Sequence, residues 1–344
     1  MADNYLEKKY EDLQARKAAK SKEERARMDA WRKRMSAGRR QLEQERMAVS
    51  THRFDVAGHL FDVTLPSSAD HESLLLPYRP FTVASEGKPL FSLRVEYVDS
   101  LSSVNAGRIR ECFNDEAPYF WLMERNGRYN FGFSYTKNSP DCILMPSLEY
   151  TDNVVYVPRD KAERLTAFAL GNALMLLYTF RTSPYDTLMV HASVIGKDGG
   201  GYMFLGRSGT GKSTHSRLWL ENIESAELLN DDNPVIRIID GKAYVHGTPW
   251  SGKTPCYKNE RLPLKAFVRL SQAPHNAIAK LPPLKAYASL MPSCSCMRWD
   301  HASVDALHST VEKVVSSVGA WHLECLPDAD AAHLCHSSVS QNKQ

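Results

Sequence analysis

Long apolar runs, a strong net charge and a regular cysteine framework are all missing from this sequence of 344 residues. The most apolar stretch, Leu165 to Phe180, is shorter than a bilayer span and contains Gly171 and Asn172, so it predicts a buried helix. The net charge of +3 gives no general preference for nucleic acid or for a membrane surface. We therefore expect neither a membrane nor a nucleic acid as the partner.

The seven cysteines follow no regular spacing. Their odd number, in a chain whose first residues lack the apolar core of a secretory signal, indicates reduced thiols and a cytoplasmic protein. A zinc site would have to draw on residues whose spacing matches no familiar ligand pattern, namely Cys294, Cys296, Cys325, His333, Cys335 and His336. Buried structural thiols are therefore the default interpretation.

The first half of the chain divides by composition into two parts. Residues 1–48 are rich in Lys, Arg, Glu, Gln and Ala, which predicts a charged, solvated helix; a partner helix or a basic arm is the alternative. Residues 49–158 alternate apolar and polar side chains, which is the pattern of half-buried antiparallel strands. Within them, Asn126-Gly127 predicts a hairpin.

The second half begins with a different pattern. A long helix is predicted from about Asp160 to Arg181, ended by Ser183-Pro184. Residues 284–340 are also predicted to be helical, with interruptions near prolines.

The strongest motif lies between these helical regions. The run from Gly206 to Thr214 fits the Walker A pattern G-x-x-x-x-G-K-[ST], with Gly206, Gly211, Lys212 and Ser213 at the defining positions. A short buried strand is predicted before the run, at 203–205, and a helix is predicted after it. A turn that only joins a strand to a helix does not require Lys-Ser, so the context favours a nucleotide-binding P-loop.

Each residue type in this run suits a polyphosphate. Backbone N–H groups wrap the phosphates, and glycines leave room for that wrap. Lys212 would reach the β- and γ-phosphates, and Ser213 would offer its hydroxyl to Mg²⁺. The predicted cofactors are therefore ATP and Mg²⁺, and the predicted cofactor-binding residues are Gly206, Ser208, Gly209, Thr210, Gly211, Lys212, Ser213 and Thr214.

A pair of carboxylates follows closely. Ala226 to Leu229 predicts a strand next to the first one, and Asp231 and Asp232 come at its end. Ligands of open α/β sheets lie beyond the carboxyl ends of the strands, so both carboxylates are expected beside the metal. One carboxylate would bind Mg²⁺ and the other would accept a proton from an attacking hydroxyl. An Asx turn is the alternative for this composition.

These runs carry a family resemblance. The run from His191 to Ile195, the glycine loop and the sequence LLNDDNPVI together resemble the C-terminal domain of HPr kinase/phosphorylase. That domain is similar to the nucleotide-binding half of phosphoenolpyruvate carboxykinase. The run from His246 to Lys253 resembles a segment of HPr serine kinase-like proteins. The resemblance covers about residues 185–290, but the phosphorylase signature loop is not recognisable and Ser213-Thr214 replaces the usual Ser-Glu.

The resemblance implies a fold and a set of roles. The fold is α+β or α/β, with a P-loop-containing carboxykinase-like domain over 159–340, preceded by the β-rich module and the charged helix. Asp231 would be the catalytic base, while Asp232 would join Ser213 at the metal. His191 and Lys212 would complete the catalytic set.

Three of these candidates have ordinary alternatives. His191 would otherwise be a buried histidine that binds a backbone carbonyl. Lys253 and Arg261 are candidates for stabilising transition-state charge, or else ordinary solvated cations.

The sequence thus predicts a kinase that transfers the γ-phosphoryl group of ATP to a hydroxyl, on a Ser or Thr of a protein or peptide. A small-molecule kinase, a regulatory module with little turnover and a carboxykinase are the alternatives. The acceptor stays unidentified, and the oligomeric state, including a homo-oligomer, is left open.

Overall fold

The computed structural model describes residues 27–28, 33, 48–114, 117–252, 254–298 and 300–340. Nearly all of the predicted charged helix over 1–48 lies outside the described residues, and so does Lys253. The strands are β1 (Val49–Val56), β2 (His59–Pro66), β3 (Phe91–Val98), β4 (Arg108–Phe113), β5 (Tyr119–Arg125), β6 (Arg128–Ser134), β7 (Cys142–Pro146), β8 (Asp152–Pro158), β9 (Thr187–Met189), β10 (Ala192–Lys197), β11 (Gly200–Leu205), β12 (Glu227–Asp232), β13 (Val235–Ile239), β14 (Lys242–His246), β15 (Arg261–Gln272), β16 (Ala277–Lys280) and β17 (Gly319–Cys325). The α-helices are α1 (His71–Leu74), α2 (Ala162–Thr182), α3 (Lys212–Asn222), α4 (Pro283–Leu290), α5 (His301–Ser317) and α6 (Ala329–Ser340).

The first sheet has eight strands in the order β1-β2-β3-β8-β7-β6-β5-β4. Strands β4 to β8 are antiparallel, as predicted, and each pairs with the next along the chain. The prediction of a wholly antiparallel module is wrong, because β3 runs parallel to both β2 and β8. The cause is the crossover between β2 and β3, which contains α1 and a 3₁₀ turn and returns the chain in its original direction.

The predicted hairpin at Asn126-Gly127 is confirmed. It joins β5 to β6, whose residues pair in antiparallel register up to Arg125 and Arg128. Asn126 has φ of 53° and Gly127 has φ of 74°. Two consecutive positive φ angles define the type I′ turn, and Asn and Gly adopt them at little steric cost.

The second sheet has nine strands. Its main path is β12-β10-β11-β15-β14-β13-β9, and β17 joins β15 and β16 beside it. The prediction that residues 284–340 are helical is wrong over Gly319–Cys325, which form β17 parallel to β15. In this run Trp321, Leu323 and Cys325 alternate with His322 and Glu324, a period-2 pattern typical of a strand, but it extends over only a few residues between two helices.

Both faces of the second sheet are buried. Neighbouring residues of one strand, such as Val194 and Ile195 of β10, belong to two different apolar clusters because side chains alternate across a sheet. The cluster around Val194 includes residues of α4 and α5, and the cluster around Ile195 includes Trp219 of α3 and Cys335 of α6. The sheet is therefore covered by helices on each side, and the whole described structure is mixed α+β with two large mixed sheets.

Helix α2 connects the two sheets. It confirms the helix predicted from Asp160 to Arg181, and it contacts β3, β7 and β8 of the first sheet and β9 of the second. The fully buried Tyr178 donates its hydroxyl to the carbonyl of Val56, at 3.0 Å. The predicted boundary at residue 158 thus falls directly before a helix shared by both sheets, and the division into domains stays a prediction. Among the described residues, no helix is long and apolar enough to cross a membrane.

We predict that Leu174→Ala, in the buried face of α2, lowers the free energy of unfolding by about 2–5 kcal/mol. Leu174 is fully buried, so the substitution removes apolar contacts and leaves a cavity. Urea unfolding followed by circular dichroism measures the change. Leu284→Ala is the matched control, since Leu284 is 81% exposed and its truncation should change stability by at most about 0.5 kcal/mol. Equal effects of the two substitutions would contradict the packing described for α2.

Candidate functional site

The glycine-rich loop joins β11 to α3. The expected strand before the loop and helix after it are both confirmed, since β11 ends at Leu205 and α3 begins at Lys212. Gly209 has φ of +77° and Gly211 has φ of +109°, a region that favours glycine. A Cβ at Gly206 would lie 3.0 Å from Thr210, so this glycine allows the loop to close tightly.

The Lys212 side chain folds back over the loop. Its ammonium donates to the carbonyl oxygens of Gly206, at 3.0 Å, and of Arg207, at 3.5 Å. Burial lowers the pKa of Lys212, and the carboxylates of Asp232 and Asp231 oppose that shift. The loop therefore holds one cation close to its own backbone and to two carboxylates.

The two aspartates reach the loop through the strand register. Strand β10 pairs antiparallel with both β11 and β12, and Ala192 lies opposite Leu205 on one side and Asp232 on the other. Because β11 and β12 are each antiparallel to β10, they run in the same direction and end at the same edge of the sheet. The Asp pair and the glycine loop therefore meet, as the sequence predicts.

One detail of that prediction is wrong. The strand carrying the aspartates is not next to β11, because β10 lies between them. The chain turns tightly at Asp198-Gly199, so β10 and β11 form a hairpin that occupies this side of β11. Asp231 and Asp232 are also the last residues of β12, and the Asx-type hydrogen bond in this run belongs to Asn230, whose Oδ1 accepts from the backbone N–H of Asn233 at 3.1 Å.

Ser213 contacts the first of the two aspartates. Its Oγ donates to Oδ1 of Asp231 at 3.0 Å, and Asp231 is only 6% exposed. The sequence-based prediction pairs Ser213 with Asp232 at the metal. The hydrogen bond instead places Ser213 with Asp231.

His191 contacts the second aspartate. Its Nε2 lies 3.4 Å from Oδ1 of Asp232, and both side chains are partly exposed. Burial lowers the pKa of His191, as does Lys212, whereas Asp232 raises it. Burial raises the pKa of Asp232, and His191 and Lys212 oppose that shift. The amide of Asn233 donates to the other oxygen of Asp232, at 2.8 Å.

The remaining sequence candidates lie as follows. Ser208 and Thr210 are in the loop, and Thr214 is in the first turn of α3. Arg261 begins β15 and lies over the ring of Tyr244, 5.2 Å from its centroid. The described contacts therefore do not bring Arg261 to the aspartates.

Sequence reasoning missed two contributors to this region. Ser193 and Ser216 share a fully buried hydrogen bond of 2.6 Å, which joins β10 to α3 behind the loop. Ser293 accepts a hydrogen bond from the backbone N–H of His191, at 2.7 Å, and lines a small cavity with His191 and Gly206. No local pattern identifies Ser293, because it is distant along the chain from the loop.

The donor atoms of this site suit a hard cation beside a phosphate. The hydroxyl of Ser213 and the carboxylate of Asp231 are oxygen ligands of the kind that Mg²⁺ prefers. Within the described part of the chain, no group of three or more His, Cys, Asp and Glu side chains is placed to hold a metal.

Comparisons with known proteins found a family model and a solved structure that are similar to parts of this chain. The family model described as SynChlorMet cassette protein ScmC matches residues 155–316, just under half of the chain. The solved structure of the Hpr(Ser) kinase/phosphatase from Coxiella burnetii is similar over 44% of this chain and 93% of that chain. The identity is 10% and the TM-score is 0.27. No curated protein matches the sequence.

We predict opposite shifts of the His191 pKa in two variants. Asp232→Asn removes the carboxylate that raises this pKa and should lower it further, while Lys212→Met removes a cation that depresses it and should raise it. An NMR titration of the imidazole resonances measures both variants against the unmodified protein. Shifts in the same direction would show that the three side chains do not form one electrostatic cluster.

Proposed function

We propose that this protein is an ATP- and Mg²⁺-dependent phosphotransferase that moves the γ-phosphoryl group to a hydroxyl, on a Ser or Thr of a protein or peptide. The observation that carries the proposal is the hydrogen bond between Ser213 and Asp231 at the first turn of a helix that follows a glycine loop. That bond holds a hydroxyl and a carboxylate together beside the N-terminus of α3, where the phosphates would bind. Kinases need these groups together, because their catalysis is mainly positioning and charge stabilisation.

The loop offers the features that a triphosphate requires. The first N–H groups of α3 have no partner within the helix, and the helix start carries a partial positive charge. Gly209 and Gly211 have open space where a Cβ would be, so backbone atoms are accessible there. Lys212 lies across the loop and would exchange its carbonyl partners for phosphate oxygens. In this proposal, residues 159–340 form a P-loop-containing carboxykinase-like domain.

The metal would be held by Ser213 and one aspartate. When bound, Mg²⁺ supplies positive charge that neutralises the phosphate oxygens. We infer that Asp231 is the metal-side carboxylate, because it is buried and accepts the hydrogen bond from Ser213. This assignment reverses the roles that the sequence suggests.

Asp232 is then the proton acceptor. It is more exposed than Asp231, and burial raises its pKa towards the range useful for a general base. His191 Nε2 lies 3.4 Å from Oδ1 of Asp232, and burial together with Lys212 lowers the pKa of this imidazole, which favours its neutral form. A neutral His191 that carries its proton on Nε2 can orient the carboxylate by donating a hydrogen bond to Oδ1 of Asp232.

We predict that Lys212→Ala weakens MgATP binding by at least about tenfold. A hydrogen bond between charged groups contributes about 1.5–3 kcal/mol, which corresponds to this factor or more. Isothermal titration calorimetry measures the affinity. Lys242→Ala, at an exposed lysine of β14, is the matched control and should bind MgATP normally. Unchanged affinity in a folded Lys212→Ala protein would exclude the loop as a phosphate site.

We predict different effects for the two aspartates. Asp232→Asn should keep MgATP affinity and reduce phosphoryl transfer by about 10²–10⁴-fold, as expected for a lost general base. Asp231→Asn should reduce phosphoryl transfer and should also weaken the dependence of ATP binding on Mg²⁺. Calorimetry with and without Mg²⁺, together with γ-labelled ATP turnover, separates these effects. If Asp231→Asn instead keeps MgATP affinity and Asp232→Asn weakens the Mg²⁺ dependence, the assignment made from the sequence is correct, with Asp231 as the base and Asp232 at the metal.

A further inference from the structure

An apolar cavity of about 540 Å³ lies between the first sheet, α2 and the segment 294–298. Its volume is within the range of small-molecule and side-chain binding sites. The lining is mostly apolar and includes three aromatic rings and two flexible side chains of α2, namely Phe113, Phe120, Phe180, Met175 and Leu176. The roles proposed above for the glycine loop and the aspartates do not use this cavity.

This cavity and the small cavity at the candidate site share one short segment, residues 293–298, as part of their walls. Ser293 lines the small cavity beside His191 and Gly206, and the next residues, Cys294 and Ser295, line the apolar cavity. This segment is hydrogen-bonded to the chain that leads into His191, because Ser295 donates its N–H to the carbonyl of Met189, at 2.9 Å. Two residues of extended chain span about 7 Å. The apolar cavity therefore begins within one or two residue lengths of the small cavity.

The contacts of Lys212 in the glycine loop indicate which end of a bound nucleotide would face the segment 293–298. The ammonium of Lys212, the group that reaches the β- and γ-phosphates in such loops, rests on the carbonyls of Gly206 and Arg207. Gly206 and Arg207 line the small cavity together with Ser293. The small cavity is therefore on the γ-phosphate side, where an acceptor approaches, and the apolar cavity adjoins it through the segment 293–298.

We propose that this cavity receives a large apolar side chain of the phosphoryl acceptor, one or two residues from the hydroxyl that is phosphorylated. The acceptor is then an extended Ser- or Thr-containing peptide segment and not a small polar metabolite. This inference rests on the proposed kinase function. Its physical basis is burial of an aromatic or aliphatic side chain against the rings of Phe113, Phe120 and Phe180.

A peptide library tests the proposal. Nonapeptides with one central Ser carry each natural residue in turn at the flanking positions, and γ-labelled ATP reports their phosphorylation by the full chain. We expect one position within two residues of the Ser to favour Phe, Tyr, Trp, Leu or Met over Ala by about ten- to hundredfold in kcat/KM. The absence of such a preference at every position would overturn the proposal.

Two variants of Leu176 test whether the preference for an apolar residue arises at this cavity. Leu176→Trp fills the cavity and should reduce kcat/KM for the preferred peptide to the level of its Ala counterpart. Leu176→Ala enlarges the cavity and should shift the preference towards Trp. Ala167→Trp, at an exposed position of the same helix, is the matched control and should keep the original preference. If both Leu176 variants keep that preference too, the apolar side chain binds elsewhere and the proposal is wrong.

The same assay distinguishes failure of this inference from failure of the proposed function. MgATP affinity of every variant is measured by calorimetry, which also reports whether the variant is folded. ATP turnover that depends on Lys212, with no library peptide phosphorylated, would overturn the peptide acceptor and leave only the ATP- and Mg²⁺-dependent chemistry of the proposed function. An unmodified protein that binds no MgATP would overturn both.

Discussion

The candidate site depends on the register of one strand. β10 pairs with β11 and β12 at once, and Ala192 lies opposite the last residue of each. This double pairing brings the glycine loop and the aspartates to one edge, although they belong to strands that do not touch. A slip of one residue would turn every side chain of the slipped strand to the opposite face. Apolar clusters on both faces of the sheet oppose such a slip, so the core of the protein also specifies the geometry of the site.

The local parts of the structure are those that the sequence predicts well. The hairpin at Asn126-Gly127, the long helix α2 and the strand-loop-helix unit around Lys212 are all encoded by neighbouring residues, whose preferences agree with the final fold. The pairing of Ser213 with one particular aspartate is different. It depends on which face of β12 each carboxylate occupies, and the spacing of the residues does not contain that information.

Long-range pairing accounts for most of the errors. Strand β17 is a short segment whose pairing with β15 links residues about fifty positions apart. The parallel pairings of β3 depend on a crossover that no local motif predicts. The place of Ser293 beside His191 has the same origin. Turn chemistry and helix periodicity act between near neighbours, whereas the neighbours of a central strand are chosen by the packing of the whole domain.

The buried hydroxyl pair of Ser193 and Ser216 has a consequence for ligand affinity. It joins the second turn of α3 to β10, while Trp219 of the same helix is enclosed in the apolar cluster beneath it. The N-terminus of the helix is therefore held in place before any anion arrives. An anion that binds there loses its own freedom of motion but orders little of the protein, so less conformational entropy opposes association. Substitution of either serine by alanine would then weaken anion binding through lost preorganisation, without removing a single group that touches the ligand.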